Sequence, residues 1–115
     1  MTALATLQSI DAETLHRKMT GEHSPIIINA LAKDAFLAKH IPGSINIPTE
    51  NAEIAKEIIP YMDADIVVYC ANSDCDASPK LAQKLEEMGY THVSDFEEGL
   101  AGWRNAGYEL VGTDV

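Results

Sequence analysis

The sequence predicts an α/β domain, a parallel sheet with helices on both faces, and three observations carry that prediction. Short apolar runs recur along the chain, at Pro25-Ile26-Ile27-Ile28, Ile45-Asn46-Ile47, Ile66-Val67-Val68-Tyr69 and His92-Val93-Ser94-Asp95-Phe96. The first and third are continuous rather than alternating, which is the pattern of strands buried on both faces. Segments of helical period separate them, and strands alternating with helices build a parallel sheet whose ligands sit at the carboxyl ends of the strands.

Each element has a local reason. Asp11 caps a helix at about 12–19, with Leu15 and Met19 on its apolar side, and Gly21 to Pro25 ends it. Lys33 to Ala38 reads as a short helical turn, and Pro42-Gly43 leads into the strand Ile45-Asn46-Ile47. Ala52 to Tyr61 carries Ile54, Ile58 and Tyr61 at helical spacing, with Pro60 ending the helix. The best specified helix follows Ile66–Tyr69: Ser78 is a favoured N-cap, Pro79 suits the first helical position, Leu81, Leu85 and Met88 share a face, and Gly89 stops it. A final helix begins at Leu100-Ala101-Gly102-Trp103 and ends near Gly107.

At 115 residues the chain has room for one core, so residues 1–115 are read as a single domain without repeats or long linkers. A net charge of -10 with only eight Lys and Arg argues against nucleic acid and anionic membranes as partners. No apolar stretch approaches the roughly 18 residues of a spanning helix. Met1 to Thr6 lacks the basic region of a signal peptide, so a cytoplasmic location is expected. Two cysteines, Cys70 and Cys75, are too few for a disulfide scaffold and, with no matched ligands, do not make a metal site. No cofactor is expected either.

Cys70 ends an apolar strand and opens a polar loop, Ala71 to Ala77, that runs into a helix start. Loop amides and the orphan N–H groups of a helix can converge on one sulfur there and lower its pKa, making a nucleophile. The alternative is that Cys70 is a small core hydrophobe.

Three stretches resemble the rhodanese family. His40-Ile41-Pro42-Gly43-Ser44-Ile45-Asn46-Ile47-Pro48 resembles its G-H-I-P-G-A-x-N-I-P segment, with Lys39 where Gly is usual. Val67-Val68-Tyr69-Cys70, then Ser78, Leu81, Ala82, Leu85 and Gly89-Tyr90, resembles the catalytic strand, loop and helix. Gly99-Leu100-Ala101-Gly102-Trp103 with Gly107-Tyr108 resembles the closing G-x-x-x-W…G segment. The resemblance implies a three-layer α/β/α fold on a mostly parallel five-stranded sheet. It also implies sulfurtransferase activity: a sulfane sulfur passes through a persulfide on Cys70, the catalytic residue, to a small thiol or protein cysteine. The substrate-binding loop would be Ala71, Asn72, Ser73, Asp74, Cys75, Asp76, Ala77 and Ser78.

The loop departs from the family's usual C-x-x-G-x-R. Eight residues, Cys70 to Ala77, precede Ser78, two more than usual, and none is Arg or Gly. Asn29, Ala30 and Leu31 stand where the family has D-V-R. A guanidinium is the natural partner of a sulfate-like group, so thiosulfate is expected to be a poor donor, and phosphatase or arsenate chemistry is disfavoured. Asp74 and Asp76 either face the sulfur and raise its pKa or face water. Cys75 is either a resolving thiol for Cys70 or an outward-pointing bystander. His40 is read as structural rather than as a base, and Trp103 and Phe36 as core or pocket-wall aromatics. A non-catalytic or redox-sensing rhodanese-like module using Cys70 and Cys75 is the rival to the enzyme. Oligomeric state is not legible in the sequence.

Overall fold

In the computed structural model, which describes residues 8–115, the two continuous apolar runs become β2 (Ile26–Asn29) and β4 (Ile66–Tyr69). The reading of Met1 to Thr6 therefore concerns residues outside the described range. β2 and β4 pair in parallel, Ile27 beside Val67 and Ile28 beside Val68. Successive side chains enter opposite layers. β5 (Val93–Phe96) flanks β4, β3 (Ile45–Asn46) flanks β2, and β1 (Gln8–Ser9) lies outside β5. The order is β1-β5-β4-β2-β3, every pairing is parallel, and the expected five-stranded sheet is present.

Five α-helices cover the sheet: α1 (Ala12–Met19), α2 (Lys33–Ala38), α3 (Ala55–Ile58), α4 (Ala77–Glu87) and α5 (Gly99–Asn105). On one face Ile28, Val68 and Ile66 pack against Leu81 and Leu85 of α4 and Ile59 behind α3. On the other, Ile27, Val67 and Phe96 pack against Leu15 of α1 and Trp103 of α5. Each such side chain is worth about 1.5–3 kcal/mol of burial, which is why the strands read as unbroken hydrophobic runs. Asp11 caps α1 as expected, its carboxylate accepting from the Thr14 N–H at 2.8 Å. No helix among the described residues is long and apolar enough to cross a membrane.

Four local readings are corrected. Ser78 is not an N-cap: α4 starts at Ala77 after Asp76, and the Ser78 hydroxyl turns inward to a buried carboxylate instead. The segment 52–61 is a 3-10 helix, Thr49–Ile54, running into the four residues of α3, and Ile54, Ile58 and Tyr61 are exposed. Its buried positions are Ala52, Ala55 and Ile59, because the 3-10 start and the non-helical Asn51 rotate the face that a regular helix would present. β1, two residues long, escaped the sequence reading, since a strand that short has no period to read. The last strand starts at Val93, one residue later than read, because its pairing with β4 begins with Val93 beside Ile66, the first residue of β4.

Candidate active site at the carboxyl end of β4

Cys70 follows directly on β4, fully buried, and the backbone around it is fixed from two sides. From α5, the Leu100 N–H donates to the Cys70 carbonyl at 2.9 Å and the Ala101 N–H to the Ala71 carbonyl at 3.0 Å. Gly99 permits this approach. Its φ is +59°, and a Cβ there would collide with the Cys70 carbonyl. From below, the buried Tyr69 hydroxyl accepts from the Ile41 N–H at 2.9 Å and from Asn29 Nδ2 at 3.1 Å, and bonds Ser44 Oγ at 2.8 Å. Burial pushes the Tyr69 phenol up, so it stays a neutral clamp between β4 and the Pro-Gly segment.

The sulfur is surrounded by acceptors. Its S–H faces the Cys75 carbonyl at 3.5 Å and the Asn72 carbonyl at 4.0 Å, with Ser78 Oγ at 3.4 Å. Ser78 in turn donates to Asp95 Oδ1 at 2.7 Å, and both of these residues are buried. While the serine proton lies on the Asp95 bond the Ser78 oxygen faces the thiol as an acceptor, and it becomes a donor to an ionised sulfur when the hydroxyl turns toward Cys70. The expectation that loop amides converge on the sulfur is corrected here. The Asp74 N–H turns to Asn72 Oδ1 at 2.9 Å and the Cys75 N–H to the Asn72 carbonyl at 3.1 Å, closing an Asx turn within the loop.

Burial accordingly pushes the Cys70 thiol above its ordinary range, and the neighbouring Cys75 thiol adds to the rise, while the Ser78 hydroxyl and amide pull the other way. Asp95 is lifted mainly by burial as well, with Ser78 lowering it and Glu97 adding a smaller upward push. The resting site is therefore a thiol held in acceptors, not a preformed thiolate.

The rest of the loop divides cleanly. Ala71, Cys75 and Ala77 are half-buried, while Asn72, Ser73, Asp74 and Asp76 are exposed. Asp76 makes a surface pair with Lys80 at 3.0 Å, so neither acidic residue is packed against the sulfur. His40 bonds the Phe36 carbonyl through Nδ1 at 2.8 Å and stacks on the Phe36 ring at 4.0 Å, a structural role. Trp103 is buried in the core, whereas Phe36 is only half-buried. Cys70 and Cys75 are both free thiols. Sequence reasoning missed Asp95; the available signal was a carboxylate inside an apolar strand, one residue before the strand end that lies level with Tyr69.

Among the described residues no group of three or more His, Cys, Asp or Glu side chains could hold a metal ion. A cavity of about 560 Å³ lies at the opposite end of the sheet, lined by residues including Asp63, Asp65, Glu86 and His92. Ligands of parallel sheets bind at the other end, where Cys70 is.

A parallel sheet between two helical layers, with a cysteine at the end of a central strand and a helix starting beyond its loop, defines the cysteine-loop class of α/β domain. The pattern of the rhodanese-like domain family matches residues 11–106, and the chain belongs to that family. A similar protein is the HTH-type transcriptional regulator Rv0324 of Mycobacterium tuberculosis, 34% identical over 97 residues covering 84% of this chain. This chain spans only 41% of the length of that regulator. The solution structure of the rhodanese-like domain from the Anabaena protein Alr3790 superposes with a TM-score of 0.82 at 26% identity, over 92% of this chain and 80% of that one. A thiosulfate sulfurtransferase from Pseudomonas aeruginosa shares the fold, with a TM-score of 0.80 at 24% identity, over 96% of this chain and 21% of its own.

Proposed function

We propose that residues 1–115 form a single rhodanese-like domain that moves a sulfane sulfur through a persulfide on Cys70 to a small thiol or protein cysteine. The observation that carries this reading is the place of Cys70, at the end of β4 against Ser78 in the first turn of α4, in a chain of this family. In the first half-reaction the Cys70 thiolate attacks the outer sulfur of the donor, a Cys70–S bond forms and the donor's bond to that sulfur breaks. In the second, an acceptor thiolate attacks the outer sulfur of the persulfide, and Cys70 leaves as thiolate. Because the resting group is a thiol, its proton must leave first. Ser78 and Asp95 are the groups placed to take it: the thiol proton passes to Ser78 Oγ as the hydroxyl proton passes to Asp95 Oδ1.

Replacing Cys70 by Ser keeps the size of the side chain and removes the atom that can carry a persulfide. Cys70→Ser is expected to abolish transfer from an organic hydropersulfide to a thiol acceptor while leaving the circular dichroism spectrum unchanged, and Cys75→Ser is expected to retain transfer. Full activity in Cys70→Ser, or loss in Cys75→Ser alone, would overturn the assignment.

A second reading, a redox-sensing module, is favoured by one observation: two free thiols share a single loop, with the Cys70 sulfur 3.5 Å from the Cys75 carbonyl. A peroxide would oxidise Cys70 to a sulfenic acid, and Cys75 would displace water from it to close a disulfide. The similarity to a transcriptional regulator suits such a role. Stoichiometric peroxide followed by peptide mapping is expected to recover a Cys70–Cys75 disulfide reversed by reductant; Cys70 advancing to sulfinic acid with Cys75 free would remove this reading.

A further inference from the structure

The apolar side chains that the sequence spaces helically between residues 54 and 62 end in solvent. Ile54 is 39% exposed, Ile58 48%, Tyr61 71% and Met62 37%. Ile54, at the start of α3, and Ile58, at its end, stand one helical turn apart, while Ala55 and Ile59 are buried in the core. Rolling the segment to cover the first pair would expose the second. The segment is also pinned: the Tyr90 hydroxyl donates to the Ile59 carbonyl at 2.6 Å, and the Thr91 N–H donates to the Met62 carbonyl at 3.0 Å. Large apolar groups held in water along one stretch mark a surface that another molecule covers.

Thr91 joins this stretch to the cavity of about 560 Å³ at the amino end of the sheet, since it bonds Met62 and lines the cavity. Asp63, Asp65 and Glu86 line it too, and its one lysine, Lys18, is already paired with Asp65 at 3.1 Å. Glu86 Oε1 is buried and has no hydrogen-bond partner among the described residues. A carboxylate oxygen in that state is costly, and a cationic donor brought into the cavity removes the cost. Around the isoleucines Glu50, Glu53 and Glu57 are exposed, and Lys56 is the one cation between residues 50 and 65. Apolar anchors thus stand in an acidic frame beside an unanswered carboxylate oxygen.

We propose that this surface docks a basic amphipathic helix of a partner protein, whose apolar side chains cover Ile54, Ile58 and Tyr61 while a lysine or arginine enters the cavity and donates to Glu86. Apolar anchors one helical turn apart are what such a helix presents, and its basic face complements the acidic frame. A second copy of this chain fits worse. A two-fold contact through the same patch sets Glu53, Glu57 and Asp63 of one copy against their equivalents in the other, with Lys56 alone to answer them. The cavity lies at the end of the sheet opposite Cys70, so a partner anchored there leaves the cysteine loop uncovered. The proposal goes beyond the sulfur-transfer reading and does not depend on it.

The test is a backbone amide shift titration of the reduced full chain with a synthetic peptide of about 18 residues, long enough to form a helix, carrying leucines at helical spacing and lysines between them. Two controls are a peptide of the same composition in scrambled order and one with every lysine replaced by glutamate. Saturable shifts are expected at the amides of residues 54–62, Glu86 and Thr91 with the first peptide, at least tenfold weaker binding with the scrambled one, and none with the acidic one. Ile58→Ser/Tyr61→Ser, at exposed positions, should weaken the first peptide at least tenfold, and Glu86→Gln at least threefold. Shifts confined to other regions, equal binding of the controls, or unchanged affinity in either variant would overturn the proposal. Sedimentation velocity on the chain alone is expected to show a monomer; a dimer dissolved by Ile58→Ser/Tyr61→Ser would give the surface to a second copy and overturn it as well.

Discussion

Cys70, Ser78 and Asp95 form a line of hydrogen bonds in which one proton position decides whether Ser78 Oγ meets the sulfur as acceptor or as donor. Burial lifts the Asp95 carboxyl, so the folded protein holds that proton more tightly than the unfolded chain does. Stability from that proton is present below the unfolded carboxyl range and is lost as pH rises through the lifted value. At neutral pH the buried charge therefore opposes folding. Asp95→Asn is expected to melt higher than the parent at pH 7, with the gain closing as pH falls into the carboxyl range. An asparagine amide also donates to Ser78 Oγ, which frees the serine proton for the sulfur. The pH profile of Cys70 alkylation by iodoacetamide, read in a Cys75→Ser background, should then shift to lower pH. A lower melting temperature with an unmoved Cys70 profile would show that the carboxylate itself holds the site together.

At the level of elements, the sequence is informative where burial and period agree and silent where geometry decides. β2 and β4 were readable because both of their faces are covered, and α4 because Leu81, Leu85 and a terminal Gly89 keep a regular period. Cys70 could be placed by the strand before it and the helix after it, and so could the loop. What the loop does was not readable: the Asx turn at Asn72 takes the amides of Asp74 and Cys75, and the inward turn of Ser78 depends on a carboxylate brought in by β5, seventeen residues away. The segment around α3 fails for a related reason, since Ile54 and Ile58 keep helical spacing while the 3-10 start turns them outward. Ile59→Ala is expected to cost about 2–4 kcal/mol in urea unfolding, and Ile58→Lys no more than about 0.5 kcal/mol. Comparable costs at both positions would mean that Ile58 is covered by something other than water.

For the whole molecule, a charge of -10 surrounds a sulfur that is itself lined by acceptors, and no arginine lies between Cys70 and Ser78. Such a field slows approach of a dianion such as thiosulfate and leaves an organic hydropersulfide less affected. Intact-mass spectrometry of the reduced protein after exposure to each donor, with peptide mapping of the product, tests the central claim most directly. A gain of one sulfur atom on the peptide containing Cys70, fast with the hydropersulfide and slow with thiosulfate, is the predicted result; no gain from either donor, or a gain confined to Cys75, would contradict it.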